Sequence, residues 1–108
     1  MNRQPSEREK RQLDLIWQRL LVYRSGKLGL PALITDLSAL IDSLEEQEPD
    51  WKQRLRDRWS VLEEVYAVAL DRGMTRLSEE GERLASDAVE QLLQMLTAQG
   101  YAHGDLGQ

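Results

Sequence analysis

The chain has 108 residues, a single histidine and no cysteine. This length fits one domain, and the lack of cysteine excludes disulfides, thiolate chemistry and cysteine-bound zinc. Hydrophobic residues make up 41% and charged residues 31% of the chain, which is a globular composition with a charged surface. We expect one helical domain over residues 1–108, with residues 1–5 and 101–108 frayed at its ends.

The net charge of −5 is unevenly distributed along the chain. Residues 1–27 carry seven bases and three acids, whereas the remainder carries seven bases and sixteen acids. An acidic body argues against nonspecific binding to nucleic acid, which needs a basic surface. It is compatible with a basic protein partner, because opposite potentials steer association.

Nothing in the sequence predicts contact with a membrane. The first eleven residues are polar and charged and contain no apolar signal core. No apolar run approaches the roughly 20 residues that a membrane-spanning helix needs. We therefore expect a cytoplasmic protein.

A first helix is predicted to begin at Ser6. Ser6 and Glu9 have the spacing of a capping box, in which the hydroxyl accepts a backbone N–H and the carboxylate reaches back to the cap. The helix should end near Ser25 and Gly26, where glycine permits a left-handed stop. Its apolar residues recur at helical spacing: Leu13, Ile16, Trp17, Leu20 and Leu21.

A second helix is predicted from about Pro31 to about Glu46. Proline suits the first turn of a helix, where no N–H is needed. The apolar stripe is the strongest periodic signal in the chain, and it comprises Leu33, Ile34, Leu37, Leu40, Ile41 and Leu44.

A third helix is predicted from about Trp51 to Arg72, with Asp50 as its N-cap, Gln53 three residues later, and Gly73 after its end. Its buried face should contain Trp51, Leu55, Trp59, Leu62, Val65, Tyr66 and Ala69.

A fourth helix is predicted to start after Ser78 and to stop at Gly100. Glu79 and Glu80 in its first turn complement the helix dipole. One face should contain Leu84, Ala88, Leu92, Met95 and Leu96, with Val89 and Leu93 beside it. Four amphipathic helices with short connections predict an all-α fold, an antiparallel bundle of about four helices. Two long helices paired across a dimer remain an alternative.

The turn between the second and third helices is a candidate binding site for a basic protein surface. Its five acids, with no base among them, are Asp42, Glu45, Glu46, Glu48 and Asp50. The alternative is that these acids are a solvated helix end that contains a capping Asp50.

Glu63 and Glu64 are the second candidate for binding. Glu63 falls at the border of the apolar stripe of the third helix, and neither glutamate has a basic neighbour three or four residues away. They either bind a partner or form an ion pair with another helix, for example with Arg19 or Arg24 of the first helix.

The three tryptophans are a further set of candidates, because tryptophan is frequent at binding hot spots. Helical spacing places Trp17 and Trp59 in the core. Trp51, beside the acidic turn, is the tryptophan that we expect to be partly exposed. The predicted partner-binding residues are thus Asp42, Glu45, Glu46, Glu48, Asp50, Trp51, Glu63 and Glu64.

No catalytic arrangement is visible in the sequence. The only histidine, His103, lies in a Gly-containing tail, and no phosphate-binding loop, nucleophile elbow, calcium loop or Glu-x-x-His pair is present. We expect neither an enzyme nor a metal or cofactor site.

Three parts of the sequence together resemble small helical immunity proteins of bacterial polymorphic-toxin and contact-dependent inhibition systems. They are residues 26–37, Trp51 and residues 59–71. The resemblance spans about residues 26–73 and depends on the pattern Trp-x-x-Leu-Glu-x-x-Tyr-Ala after a Leu-rich helix. The matching residues are Asp36, Trp59, Glu63 and Tyr66, which either contact a toxin or maintain the fold.

The resemblance implies a cytosolic protein that neutralises a cognate toxin domain by forming a stoichiometric complex. Many toxins of these systems are basic nucleases, which an acidic inhibitor would complement. The alternative function is a self-associating helical adaptor, chaperone or regulator, and the chain could be a monomer or a homodimer.

Overall fold

The computed structural model describes residues 6–74 and 76–98. These residues form four α-helices and no strand: α1 (Glu7–Arg24), α2 (Leu30–Ser43), α3 (Pro49–Asp71) and α4 (Glu79–Ala98). The predicted all-α bundle of about four helices is thereby confirmed. The predicted stop at Gly100 and the predicted frayed ends at residues 1–5 and 101–108 lie outside the described residues.

The four helices form an antiparallel bundle. Each helix packs against the next along the chain, and α1 also packs against α4. The helices enclose one core, to which every helix contributes leucines. Its largest fully buried apolar side chains are Leu13, Ile16, Leu20, Leu33, Leu37, Ile41, Leu44, Leu55, Leu62, Leu92 and Leu96.

The start of α1 contains only half of the predicted capping box. The Ser6 hydroxyl accepts the Glu9 backbone N–H at 3.1 Å, as predicted. The Ser6 backbone N–H, however, donates to the Glu46 carboxylate at 2.9 Å, and the Ser6 hydroxyl donates to the same carboxylate at 2.6 Å. The cap is completed by a residue from the turn after α2 rather than by Glu9.

Helix α2 ends at Ser43, earlier than the predicted Glu46. Leu44 adopts an extended conformation (φ −74°, ψ 124°) and is fully buried. The next two backbone N–H groups, of Glu45 and Glu46, donate to the Glu9 carboxylate at 3.2 and 3.1 Å. These donors are therefore satisfied outside the helix, so the chain can turn here without leaving buried polar groups unpaired.

Helix α3 begins at Pro49, and its N-cap is Glu48 rather than the predicted Asp50. Proline at the first helical position pre-sets the helical φ, which starts the helix before Asp50. Gln53 does not return to the cap, because its side-chain amide donates to Asp57 at 3.0 Å. Gly73, at φ 68°, follows the end of the helix as predicted.

Helix α4 has the predicted cap but a different buried face at its start. The Ser78 hydroxyl accepts the Gly81 backbone N–H at 3.0 Å, which confirms the cap. Leu84 was predicted to be buried and is instead 43% exposed, whereas Ala85 is fully buried. Since a Cβ atom on Gly81 would lie 3.4 Å from Val65 Cγ1, α3 and α4 approach closely here. Small residues fit that contact, and Leu84 lies about 100° around the helix from Ala85.

Candidate protein-binding surface

The five acids of the turn are all exposed, but three of them already have intramolecular partners. Asp42 forms an ion pair with Arg56. Glu45 lies 3.8 Å from Arg8, and Glu46 completes the Ser6 cap. Glu48 and Asp50 make no ion pair with any described residue. These contacts therefore connect the end of α2 to α1 and α3. The role of the turn in binding a partner remains a prediction.

Beneath this turn lies a carboxylate that sequence analysis did not single out. Glu9 is 0% exposed, and its carboxylate accepts the backbone N–H groups of Glu45 and Glu46 and the Gln47 side-chain amide at 3.1 Å. The sequence signal for Glu9 was its place in the capping box, which predicts a local contact. Its actual donors lie 36 to 38 residues away, and no local pattern reports them.

The prediction that Trp51 is partly exposed is wrong, because it is 4% exposed and belongs to the core. Helix α3 starts two residues earlier than predicted, so Trp51 lies within its first turn and on the same face as Leu55. A buried indole offers little surface to a partner.

Trp59, one of the residues of the family-like pattern, has a structural contact. It is half-buried against the core, and its indole N–H donates to the Ile34 backbone carbonyl at 2.9 Å, which joins α3 to α2. Two other pattern residues also have intramolecular contacts: Asp36 lies 3.4 Å from Arg19, and Tyr66 packs against the core. Only Glu63 of the pattern points to solvent.

Glu63 and Glu64 are both exposed and make no ion pair with any described residue. The suggested tether to the first helix is wrong for both arginines considered, because Arg19 pairs with Asp36 and Arg24 pairs with Glu90 at 3.1 Å. Both carboxylates are thus accessible to a partner.

The net charge of the whole chain is concentrated in residues 61–90, which we call the acidic segment. This segment carries eight acids and three bases, for a net charge of −5. Glu90 pairs with Arg24, whereas the other seven acids make no ion pair with any described residue. They are Glu63, Glu64, Asp71, Glu79, Glu80, Glu82 and Asp87. The acidic segment covers the end of α3 and the start of α4, which are adjacent in the fold.

An apolar groove of about 460 Å³ lies between α3 and α4 within the acidic segment. Val68 and Leu84, which are 49% and 43% exposed, lie in this groove, and Glu64 and Glu80 lie beside them. The remaining lining residues are Val61, Val65, Ala69, Arg72, Met74, Leu77, Ser78 and Gly81. We call this feature the α3/α4 groove. It combines exposed apolar side chains with carboxylates, as protein interfaces do.

A second cavity, of about 680 Å³, opens where the end of α1 meets the α3–α4 connection. Tyr23, Tyr66, Leu70 and Glu82 are among its lining residues. Burial, followed by the negative charge of Glu82, raises the pKa of the Tyr23 phenol above its usual value. This cavity shares Ala69, Met74 and Leu77 with the α3/α4 groove, so the two are neighbours.

Residues 6–74 and 76–98 contain neither a metal-binding cluster nor a membrane-spanning helix. No group of three His, Asp or Glu side chains in this part of the chain is placed to hold a metal ion. None of its helices has the length and apolar character required to span a bilayer. Comparisons with known protein families, with curated proteins and with solved structures found no match.

Proposed function

We propose that this protein binds a cognate bacterial toxin domain and neutralises it by forming a stoichiometric complex in the cytoplasm. The observation that carries the proposal is the set of exposed carboxylates in the acidic segment that make no ion pair with any described residue. Clustered like charges repel one another and destabilise a compact chain. A basic partner surface would relieve that repulsion and would be attracted over a long range.

The toxin as partner is supported by the resemblance to immunity proteins. Of the four pattern residues, Glu63 is the exposed one, and it lies in the acidic segment. Glu63 therefore belongs both to the pattern and to the acids that make no ion pair with a described residue. A basic toxin domain, such as a nuclease domain, has the complementary charge.

Self-association is the alternative function, and the exposed apolar side chains of Val68 and Leu84 favour it. An adaptor that pairs with a second copy would bury such side chains. Light scattering at micromolar concentration distinguishes the two functions, because a monomer that binds a foreign protein contradicts the self-associating adaptor.

The experiment that tests the proposal begins with capture of partners from the native host on the tagged protein, followed by mass spectrometry. The captured partner is then expressed alone and together with this chain. We expect a basic protein domain that arrests growth alone, is harmless when co-expressed, and forms a complex of fixed stoichiometry. A partner that is harmless alone, or recovery of only the chain itself, would contradict the proposal.

Charge reversal then tests the role of the acidic segment. The double variant Glu63→Lys, Glu64→Lys should weaken binding of the captured toxin by about tenfold or more, because it places cations against a basic surface. Glu7→Lys, which reverses an exposed acid of α1 outside the predicted partner-binding residues, is the control. Titration calorimetry measures both, and circular dichroism checks the fold. Undiminished binding by the double variant would remove these two glutamates from the interface.

A further inference from the structure

The α3/α4 groove is lined by one exposed large apolar side chain from each of its two helices. Val68 of α3 and Leu84 of α4 are each more than two-fifths exposed, and Gly81 lines the groove where the two helices approach closely. An apolar side chain from a partner could therefore contact both helices at once. Exposed apolar surface of this kind is stabilised when a partner covers it.

The charges beside the groove define what can cover it. Glu64 on the α3 side and Glu80 on the α4 side are exposed, and neither pairs with a described base. Arg72 is the only base among the lining residues. The surrounding acidic segment carries a net charge of −5. Covering the groove with an acidic segment would add repulsion, whereas a basic segment would pair with these carboxylates.

We propose that the α3/α4 groove binds an amphipathic helix of the partner whose apolar face is flanked by lysine or arginine. Apolar side chains of that helix, spaced three or four residues apart, contact Val68 and Leu84. Its flanking cations lie near Glu64 and Glu80. The inference builds on the proposed function, in that it names the surface by which the toxin domain is held.

A second copy of this chain fits the groove less well. If two copies met groove to groove, their acidic segments, each with a net charge of −5, would face each other. Like charges placed opposite each other in an interface repel, so this symmetric pairing is disfavoured. The amphipathic basic helix has no such penalty.

The test uses a probe that does not depend on identifying the toxin. A synthetic amphipathic helical peptide of leucine and lysine is titrated calorimetrically into the full chain, and the same peptide with glutamate in place of lysine is the control ligand. We expect binding of the lysine peptide and none of the glutamate peptide. Equal binding of the two peptides, or no binding of the lysine peptide, would overturn the proposal.

Variants locate the binding site. Val68→Lys and Leu84→Lys should each weaken binding of the lysine peptide by about tenfold or more, because a cation replaces an apolar contact and repels the ligand. Leu15→Lys is the matched control, since Leu15 is similarly exposed at 38% but lies on α1, away from the groove. Equal loss in all three variants, or no loss in the groove variants, would contradict the assignment.

The same variants separate this inference from the proposed function. If Val68→Lys captures the toxin as strongly as the unchanged protein, the groove is not the interface, although the chain is still a toxin inhibitor. If no toxin is found but the lysine peptide binds in a Val68-dependent way, the proposed function fails and the groove assignment stands. A dimer abolished by Val68→Lys would show that a second copy is the occupant, and would overturn the choice of a foreign helix.

Discussion

Glu9 shows how one side chain can connect two segments that lie far apart in the chain. A carboxylate that is removed from water needs hydrogen-bond donors around it, or its burial costs several kcal/mol. Glu9 has three donors, and two of them are the backbone N–H groups released where α2 ends. The residue therefore stabilises both the start of α1 and the turn that follows α2.

Replacing this carboxylate by an amide should lower the stability of the whole fold. In Glu9→Gln, the amide brings a donor group to a site where all three partners are donors, and the charge that strengthens these bonds is lost. We expect the free energy of unfolding to fall by about 2 kcal/mol. Urea unfolding followed by circular dichroism measures the change.

The control for this substitution lies in the same helical turn. Glu7→Gln changes an exposed acid of α1 by the same chemistry, and its effect on the free energy of unfolding should be below about 0.5 kcal/mol. Equal stabilities of the two variants would show that the Glu9 contacts contribute little net energy.

At the scale of elements, the contact between α2 and α3 includes a specific hydrogen bond as well as apolar packing. The Trp59 indole N–H donates to the Ile34 carbonyl, which lies in the first half of α2. Apolar contacts alone allow helices to slide relative to each other, whereas this bond favours one relative position. It also accounts for the place of tryptophan in the family-like pattern without any contact to a toxin.

Trp59→Phe removes this donor while keeping an aromatic ring. The free energy of unfolding should fall by about 1 to 3 kcal/mol, from the lost hydrogen bond and the smaller buried ring. Trp17→Phe is the comparison, because Trp17 is also half-buried but its indole N–H has no hydrogen bond to a described residue. Chemical denaturation of both variants measures the difference, and equal losses would mean that the hydrogen bond adds nothing beyond packing.

At the scale of the whole molecule, charge is distributed unevenly along the chain. The first sixty residues carry eleven bases and ten acids and are almost neutral, whereas the acidic segment carries the net charge. The acids of the first part often have partners in the bundle, as Asp36, Asp42 and Glu45 do. The acids of the acidic segment mostly make no ion pair with a described residue, so the unpaired negative charge is concentrated at the end of α3 and the start of α4.

At alkaline pH, ionisation of the Tyr23 phenol adds a further negative charge to the protein. Burial and the nearby Glu82 raise its pKa in the folded protein above the usual 10.0. The folded state therefore holds the phenol proton more tightly than the unfolded chain does. The stability that this provides is fully present below about pH 10 and is lost as the pH rises through the folded pKa.

The Tyr23→Phe variant should thus lose less stability than the unchanged protein as the pH rises above about pH 10. Thermal unfolding at a series of pH values measures the two slopes. Glu82→Gln should reduce the slope less than Tyr23→Phe does, because burial is the larger cause of the shift. Parallel pH profiles of the unchanged protein and Tyr23→Phe would contradict this account.

The helices themselves were largely determined by the sequence, because their signals are local. Apolar residues at helical spacing, the caps Ser6 and Ser78, and the glycines after α1 and α3 depend on neighbours within one or two turns. The same is true of the excess of acids after residue 27, which is a property of composition. The end of α2 was predicted less accurately, because it depends on a distant residue. The backbone N–H groups that follow Leu44 donate to Glu9 of α1.

The candidate site was decided by the tertiary structure, because its properties depend on which charges and surfaces meet. Local spacing could not show that Glu9 is buried or that Asp42 and Glu46 already have partners from other segments. It also could not show that the close contact at Gly81 leaves Leu84 exposed and that Glu64 and Glu80 flank one groove. Burial and ion pairing are relations between segments far apart in the chain, and only the folded packing of the four helices establishes them.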